Sequence, residues 1–401
     1  MIWHGARSNE VGWQANVEIP GLDVAKAKRY HRVRLTMTFS GALLGAGELA
    51  WFALSGRSSH LQSGLRVRFR SPMAATAAYA AIAAGGSWLV SLPWSFLAGY
   101  LIERRFGLTR QSPTAWLGDR SKGLGVSLAL ETPLIVASYA VIRRRPHDWW
   151  LVLSGVAVPV SVVLGNLAPV LIMPLFNRFE PLADDELVRR IRKLADRAGV
   201  PIADAFRMDM SRQTEKANAF FTGLGRTKRI VLGDTMLDRY APEEIEAVVA
   251  HELGHQVHGD MWRMIAFGGA AMTGVAYSVG KLTPRILCLT AHRTGVRDVG
   301  DEAGLPLVGL VAGMCAVLIA PVSAALSRAM ERRTDRYALA LTGNGRAYAS
   351  TMGRLAAQNL SDPSPPRWIV LLLYSHPPIA ERIATARAFE ALVGTSELAR
   401  K

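Results

Sequence analysis

Cysteine is nearly absent: the 401 residues hold two, Cys288 and Cys315, and no CxxC pair. That excludes a disulfide framework and a cysteine-ligated zinc site. The first 34 residues are polar and basic and lack an apolar core of signal-peptide type. Residues 35–54 therefore read as a first membrane anchor, not a cleaved leader. There is no internal repeat and no low-complexity tail. Charge is missing in long stretches. Residues 71–102, 149–177 and 303–326 contain no Asp, Glu, Lys or Arg. Each exceeds the ~20 helical residues that cross a bilayer core of about 30 Å. Three such runs in one chain read as membrane spans rather than core helices.

Two more runs qualify with one acid each: residues 35–54 around Glu48 and residues 123–142 around Glu131. A sixth covers residues 264–280 and extends past Lys281 toward Leu289. The expectation is six spans, or seven if residues 149–177 break at Pro159 or Pro169. Glu48, Glu131 and Asn166 fall inside spans, where such groups face a protein interior or a water-filled cavity. The net charge is +15, but the arginines cluster at the ends of apolar runs, as in Arg143, Arg144 and Arg145. Basic residues there meet lipid headgroups and orient helices, so the charge implies a membrane and not a nucleic acid. The segment to Arg34 holds six Lys/Arg and residues 103–122 hold five, against four in residues 55–71 and three in residues 143–148. The bias puts the N-terminus and residues 178–263 in the cytoplasm.

The reading by region is a basic segment 1–34, four spans within 35–177, and a cytosolic block 178–263. Two further spans follow within 264–326, then a helical part 327–401. The fold class is mostly α: a polytopic membrane helical bundle with a polar domain containing a small β-sheet. In the cytosolic block, residues 183–199 alternate at helical spacing and stop at Gly199. Residues 205–210, 217–221 and 229–232 read as strands, with Gly223 and Gly225 turning between the last two. Pro242, followed by Glu243 and Glu244, starts a helix that runs on toward the fifth span.

That helix carries "HELGH". His251 and His255, four apart, share one face and can bind one Zn²⁺. Glu252 lies beside the metal and can take a proton from bound water. The metzincin pattern needs glycine at 258 and histidine at 261; this chain has His258 and Met261. His258, one turn on, reads as a cavity residue, not a ligand. "SRAMERRTDRYAL" supplies Glu331 and Asp335 at the end of the last span. Glu331 can be the third ligand, and Asp335 can accept the free N–H of a ligating histidine.

These stretches, with "IERRFGLTRQSPTAWLGDRSKG", "PVLIMPLFNRFEPL", "SRQTEKANAFFTGLGRTKRIVLGDTML" and "YSHPPIAERI", resemble the type I CAAX prenyl proteases. Those are integral-membrane zinc metalloproteases of the gluzincin kind. The short loops point to a bacterial member. The resemblance implies one zinc per chain on His251, His255 and Glu331, Glu252 as general base, and Asp335 supporting a ligand. It implies that His376 of "SHPP" donates a hydrogen bond to the transition state, with Arg382 nearby. It also implies helices enclosing a water-filled chamber. "KANAFFTG" would be an edge strand whose backbone at Asn218 and Ala219 pairs with an extended substrate. The expected partners are a peptide or protein, prenylated or membrane-anchored, and membrane lipids, at the cell membrane. The competing readings are a quality-control membrane metalloprotease of the heat-shock type, and a scaffold or transporter that keeps a metal without catalysis. Four spans before the metal helix argue against the first, and an intact Glu252 against the second.

Overall fold

The structure, a computed structural model, describes residues 17–223 and 228–398; Gly225 and the first part of the N-terminal segment lie outside these residues. Helix α1 (Val24–Leu54) is followed by the short polar α2 (Arg57–Arg68) and by α3 (Pro72–Phe96), which passes through a π turn into α4 (Ile102–Phe106). Then come α5 (Pro113–Arg144) and α6 (Trp149–Leu167). Among the described residues, five helices are long and apolar enough to cross a membrane: Val24–Leu54, Pro72–Phe106, Pro113–Arg144, Trp149–Leu175 and Glu302–Thr342. The stretch from Trp149 is a single candidate span. Its helix runs straight through Pro159 and loosens only into a π turn at Ala168–Ile172. The expected fifth span lies in α10 (Asp260–Thr294), which is 35 residues long but not among these five. Arg263, Lys281 and Arg285 interrupt its apolar character.

The long helices pack in a ring. α1, α3, α5, α6, α10 and α11 (Leu305–Thr342) touch in that order, and α11 returns to α1. Between 0% and 22% of each candidate span's apolar window is buried, and α1 also touches α10 across the ring. One end is tied shut. Glu302, 1% exposed, receives Arg66 of α2 and Arg143 of α5. Ser58 donates to the Ala303 carbonyl at 2.6 Å, and Ala53, Leu287, Val296 and Leu307 form an apolar plug.

The other end carries the polar domain. A four-stranded sheet has the order β1-β2-β4-β3, with β1 (Phe179–Pro181), β2 (Asp204–Met208), β3 (Ala219–Thr222) and β4 (Arg229–Gly233). β2 and β4 are parallel; β1 and β3 pair antiparallel at either side. Three strands overlap the runs 205–210, 217–221 and 229–232 read from sequence. β1 is too short to alternate. Helix α7 (Asp185–Arg197) crosses between β1 and β2 and stops at Gly199, whose φ of +65° suits glycine.

After α8 (Asp234–Leu237), α9 (Pro242–His258) starts with proline in its first turn. The Glu244 carboxylate accepts from the Ala241 amide at 2.9 Å and closes that end. Ile245, Ala247, Val249, Ala250 and Leu253 bury one face beneath the sheet and against α12 (Gly345–Asn359) and α14 (Ile379–Leu398). α9 does not run into the membrane helix as expected. Gly259, at φ +64°, ends it, and α10 sets off afresh from Asp260.

α9 also lies against the end of α11. A Cβ on Gly254 would stand 2.8 Å from Thr334 Cγ2 and 3.1 Å from Tyr337 Cδ1. Gly254→Ala should therefore cost about 1–3 kcal/mol through overpacking. The measurement is thermal unfolding in detergent; a midpoint equal to wild type would show room between the helices.

Candidate metal centre

His251 and His255 lie one turn apart on α9, their rings perpendicular with centroids 4.9 Å apart. Packing of α11 across α9 brings Glu331 between them. One ligand atom from each of the three lies within 4.8 Å of the others. His258 is not in this group. It faces Tyr337 at 5.4 Å, because the helix turns its third histidine toward α11's far side.

Protons decide what this cluster can hold. Asp335 Oδ1 lies 3.0 Å from His251 Nδ1, and Asp260 Oδ2 lies 2.9 Å from His255 Nδ1. An ionised carboxylate only accepts, so both Nδ1 atoms carry the ring proton. In its neutral, metal-binding form each ring turns a bare lone pair at Nε2 toward Glu331. The Glu331 oxygens stand 3.1 Å from His251 Nε2 and 3.4 Å from His255 Nε2. Glu331 Oε2 is buried and accepts no hydrogen bond. Three converging lone pairs repel unless a cation lies among them. Two imidazoles and one carboxylate suit a divalent metal and leave a coordination position open. Burial opposes charge on His251, yet Asp335 and Glu331 prevail and push its imidazole up to about 9. The pocket is thus built for positive charge.

Asp335 is itself held. Arg382 grips it with Nε at 2.9 Å and Nη2 at 2.6 Å, and the Tyr348 hydroxyl donates to it as well. Arg382 is 8% exposed, and its guanidinium faces Asp335 and Tyr348. Asp260 is matched in the same way by Arg333. Reading the sequence missed Asp260, Tyr348 and Arg333. Asp260 stands five residues after His255, off the helical face, and returns only because Gly259 turns the chain.

A cavity of about 540 Å³ opens beside His251. Glu252 lines it; burial pushes its carboxyl up, opposed by His251 and His255. His376, exposed in the turn before α14, reaches within 3.3 Å of Glu331 Oε1. Ala217, Asn218 and Ala219 lie along the cavity at the start of edge strand β3. Asn359 brackets Ala217, donating to its carbonyl and accepting from its amide. The foot of α1 forms part of the wall through Tyr30, His31 and Arg34, a contribution that reading the sequence missed.

Asp335→Asn should lower metal affinity by about 10–100-fold, since it loosens His251 and leaves Arg382 unpaired. Glu331→Gln should release metal more readily than His258→Ala does. Metal analysis of the purified variants checks both, and the reverse order would overturn the ligand set.

Residues 181–390 match peptidase family M48, and residues 7–178 match the family described as CAAX prenyl protease N-terminal, five membrane helices. Within that second region the described residues hold four candidate spans and the short α2. The uncharacterised metalloprotease YhfN of Bacillus subtilis (strain 168) is 31% identical over 375 residues, covering 92% of this chain and 86% of that protein. CAAX prenyl protease 1 of Saccharomyces cerevisiae is 36% identical over 213 residues, covering 52% of this chain and 47% of its own length. The crystal structure of S. mikatae Ste24p superposes with a TM-score of 0.81 at 26% identity, covering 93% of both chains. With a matching metal-ligand cluster at one end of a membrane bundle, the chain belongs to peptidase family M48 and is a multi-pass membrane metalloprotease.

Proposed function

We propose that the chain is a zinc endopeptidase acting at the cytoplasmic face of the cell membrane on peptides whose C-terminal part is held by the bilayer. The observation behind this reading is the cavity wall. The cavity touched by His251 and Glu252 is lined on another side by residues at the foot of α1, the first candidate span. A substrate in the cavity therefore lies against a membrane helix. The ring of six helices, tied at its far end, would enclose a chamber that water can share. The names of the yeast and plant relatives, CAAX prenyl protease 1 and its homolog, favour a C-terminal, lipid-modified substrate.

The residues divide the chemistry as follows. A zinc ion on His251, His255 and Glu331 would acidify water and polarise the scissile carbonyl. Glu252, its carboxyl raised by burial, accepts the proton from the attacking water and passes it to the departing amine. His376 donates a hydrogen bond to the oxyanion as it forms. The free edge of β3 at Asn218 and Ala219 aligns the peptide through main-chain hydrogen bonds. Asp335 and Asp260 keep each histidine proton on Nδ1, and Arg382 keeps Asp335 ionised and oriented.

Glu252→Gln should retain metal and fold yet lose turnover by at least about 100-fold, the lower range for a lost general base. A variant that cuts peptides at near wild-type rate would remove Glu252 from the mechanism. Hydrolysis of one CAAX-type peptide with and without its farnesyl group tests the substrate. The prenylated form should be preferred, because lipid anchoring contributes about 0.8 kcal/mol per buried CH₂. Equal efficiency would leave a membrane peptidase without lipid recognition.

A further inference from the structure

Arg328 lies one turn before Glu331 on α11 and is 4% exposed. Its hydrogen bonds among the described residues go to main-chain carbonyls. Nη1 donates to Val370 at 2.8 Å and to Tyr374 at 2.6 Å, and Nη2 donates to Leu371 at 3.2 Å. These carbonyls belong to the end of the short helix α13 (Arg367–Leu373) and the residue after it. A buried guanidinium is expensive, and a leucine would fill the space without that cost. What the arginine adds is geometry: a rigid fork that reaches three acceptors at once.

The segment it holds leads directly to the site. Tyr374 is two residues before His376, and the Ser375 hydroxyl lies 2.8 Å from His376 Nδ1. On the other flank, Arg332 grips Glu381 in the first turn of α14, at 2.6 and 3.3 Å. The next residue, Arg382, is bound to Asp335. Arg328, Glu331, Arg332 and Asp335 form one stripe of α11 at positions i, i+3, i+4 and i+7. The turn carrying His376 is thus fastened before and after to the same helix that supplies Glu331.

We propose that Arg328 is a positioning residue for catalysis: by capping α13 and holding the Tyr374 carbonyl, it fixes His376 over the metal centre. Arg328 touches neither metal ligands nor the cavity and acts through the backbone alone. The inference rests on His376 acting at the reaction, as proposed above.

The test is a double-mutant cycle in the full-length protein in detergent. The probe is a peptide that wild type cuts and Glu252→Gln spares. Arg328→Met should lower kcat by about 10–100-fold, the scale of a small misplacement of a reacting group. KM should stay within about threefold, and metal content should be unchanged. Arg328→Lys, which keeps the charge without the fork, should lose less; it also serves if the methionine variant does not fold. In a His376→Ala background neither change should cost further activity. Hydrogen exchange should quicken at residues 374–376 and stay constant in α9. Full kcat in both Arg328 variants, a loss that multiplies with His376→Ala, or loss of metal would overturn the inference. A His376→Ala enzyme at full rate would overturn the role of His376 itself, and this inference with it.

Discussion

Everything at the metal centre depends on how closely α9 can approach α11. His251 and His255 arrive on one helix and Glu331 on another, far along the chain. Three donor atoms meet within 4.8 Å only if the two backbones nearly touch. They do so at Gly254, where no side chain stands between α9 and Thr334. Thr334 then lies beside the site as well, with its hydroxyl 3.5 Å from both His255 Nδ1 and Asp260 Oδ2. The glycine inside "HELGH" is therefore as much a part of the ligand geometry as the histidines on either side of it.

Bringing helices this close buries several charges, and each must be answered. Asp335 is answered by Arg382, and Asp260 by Arg333. Glu331 is the exception. The nearest guanidinium nitrogen, on Arg382, is 3.9 Å away, and one of its oxygens accepts no hydrogen bond. A divalent ion removes that imbalance and the repulsion between the Nε2 lone pairs in one step. Metal binding and the packing of α9 on α11 are thus coupled: a bound ion takes the place of the histidine protons that otherwise face Glu331 across this interface. The same reasoning explains why the supporting carboxylates come with arginines. Unpaired, Asp335 or Asp260 would compete with Glu331 for the cation.

α11 connects this centre to the membrane. It begins beside Glu302 at the closed end of the ring and finishes with the stripe from Arg328 to Asp335. One helix therefore spans from the seal to the site, and its 38 residues, at about 1.5 Å each, measure roughly 57 Å. α1, 31 residues long, runs in the opposite sense: it begins as a wall of the cavity at Tyr30–Arg34 and ends at the plug, at Ala53. Hydrolysis needs water, and a membrane helix excludes it. The metal cluster and its cavity lie at the polar ends of both helices, at Tyr30 and Arg34 of α1 and Glu331 of α11.

Apolar runs, three of the four strands and the two motifs were legible in the sequence because each is a local pattern. The histidine pair is set by helical periodicity, and so is the spacing of Glu331 and Asp335. Features that arise from a change of direction were not legible. Gly259 looked like an ordinary residue inside a continuous helix, yet its positive φ ends α9 and swings Asp260 back to His255. Had the helix continued, residue 260 would lie about 500° around the axis from His255, nearly opposite to where the ring needs a partner. Arg328 was hidden for a related reason. Its acceptors are carbonyls, which every residue carries, so no side-chain pattern marks them. A charged residue at the end of an apolar run looks like a snorkelling arginine at the membrane surface. Burial alone tells the two apart, and at 4% exposure this guanidinium does not reach water. It is spent on the backbone that carries His376, which makes the end of a membrane helix the frame on which the active-site turn is hung.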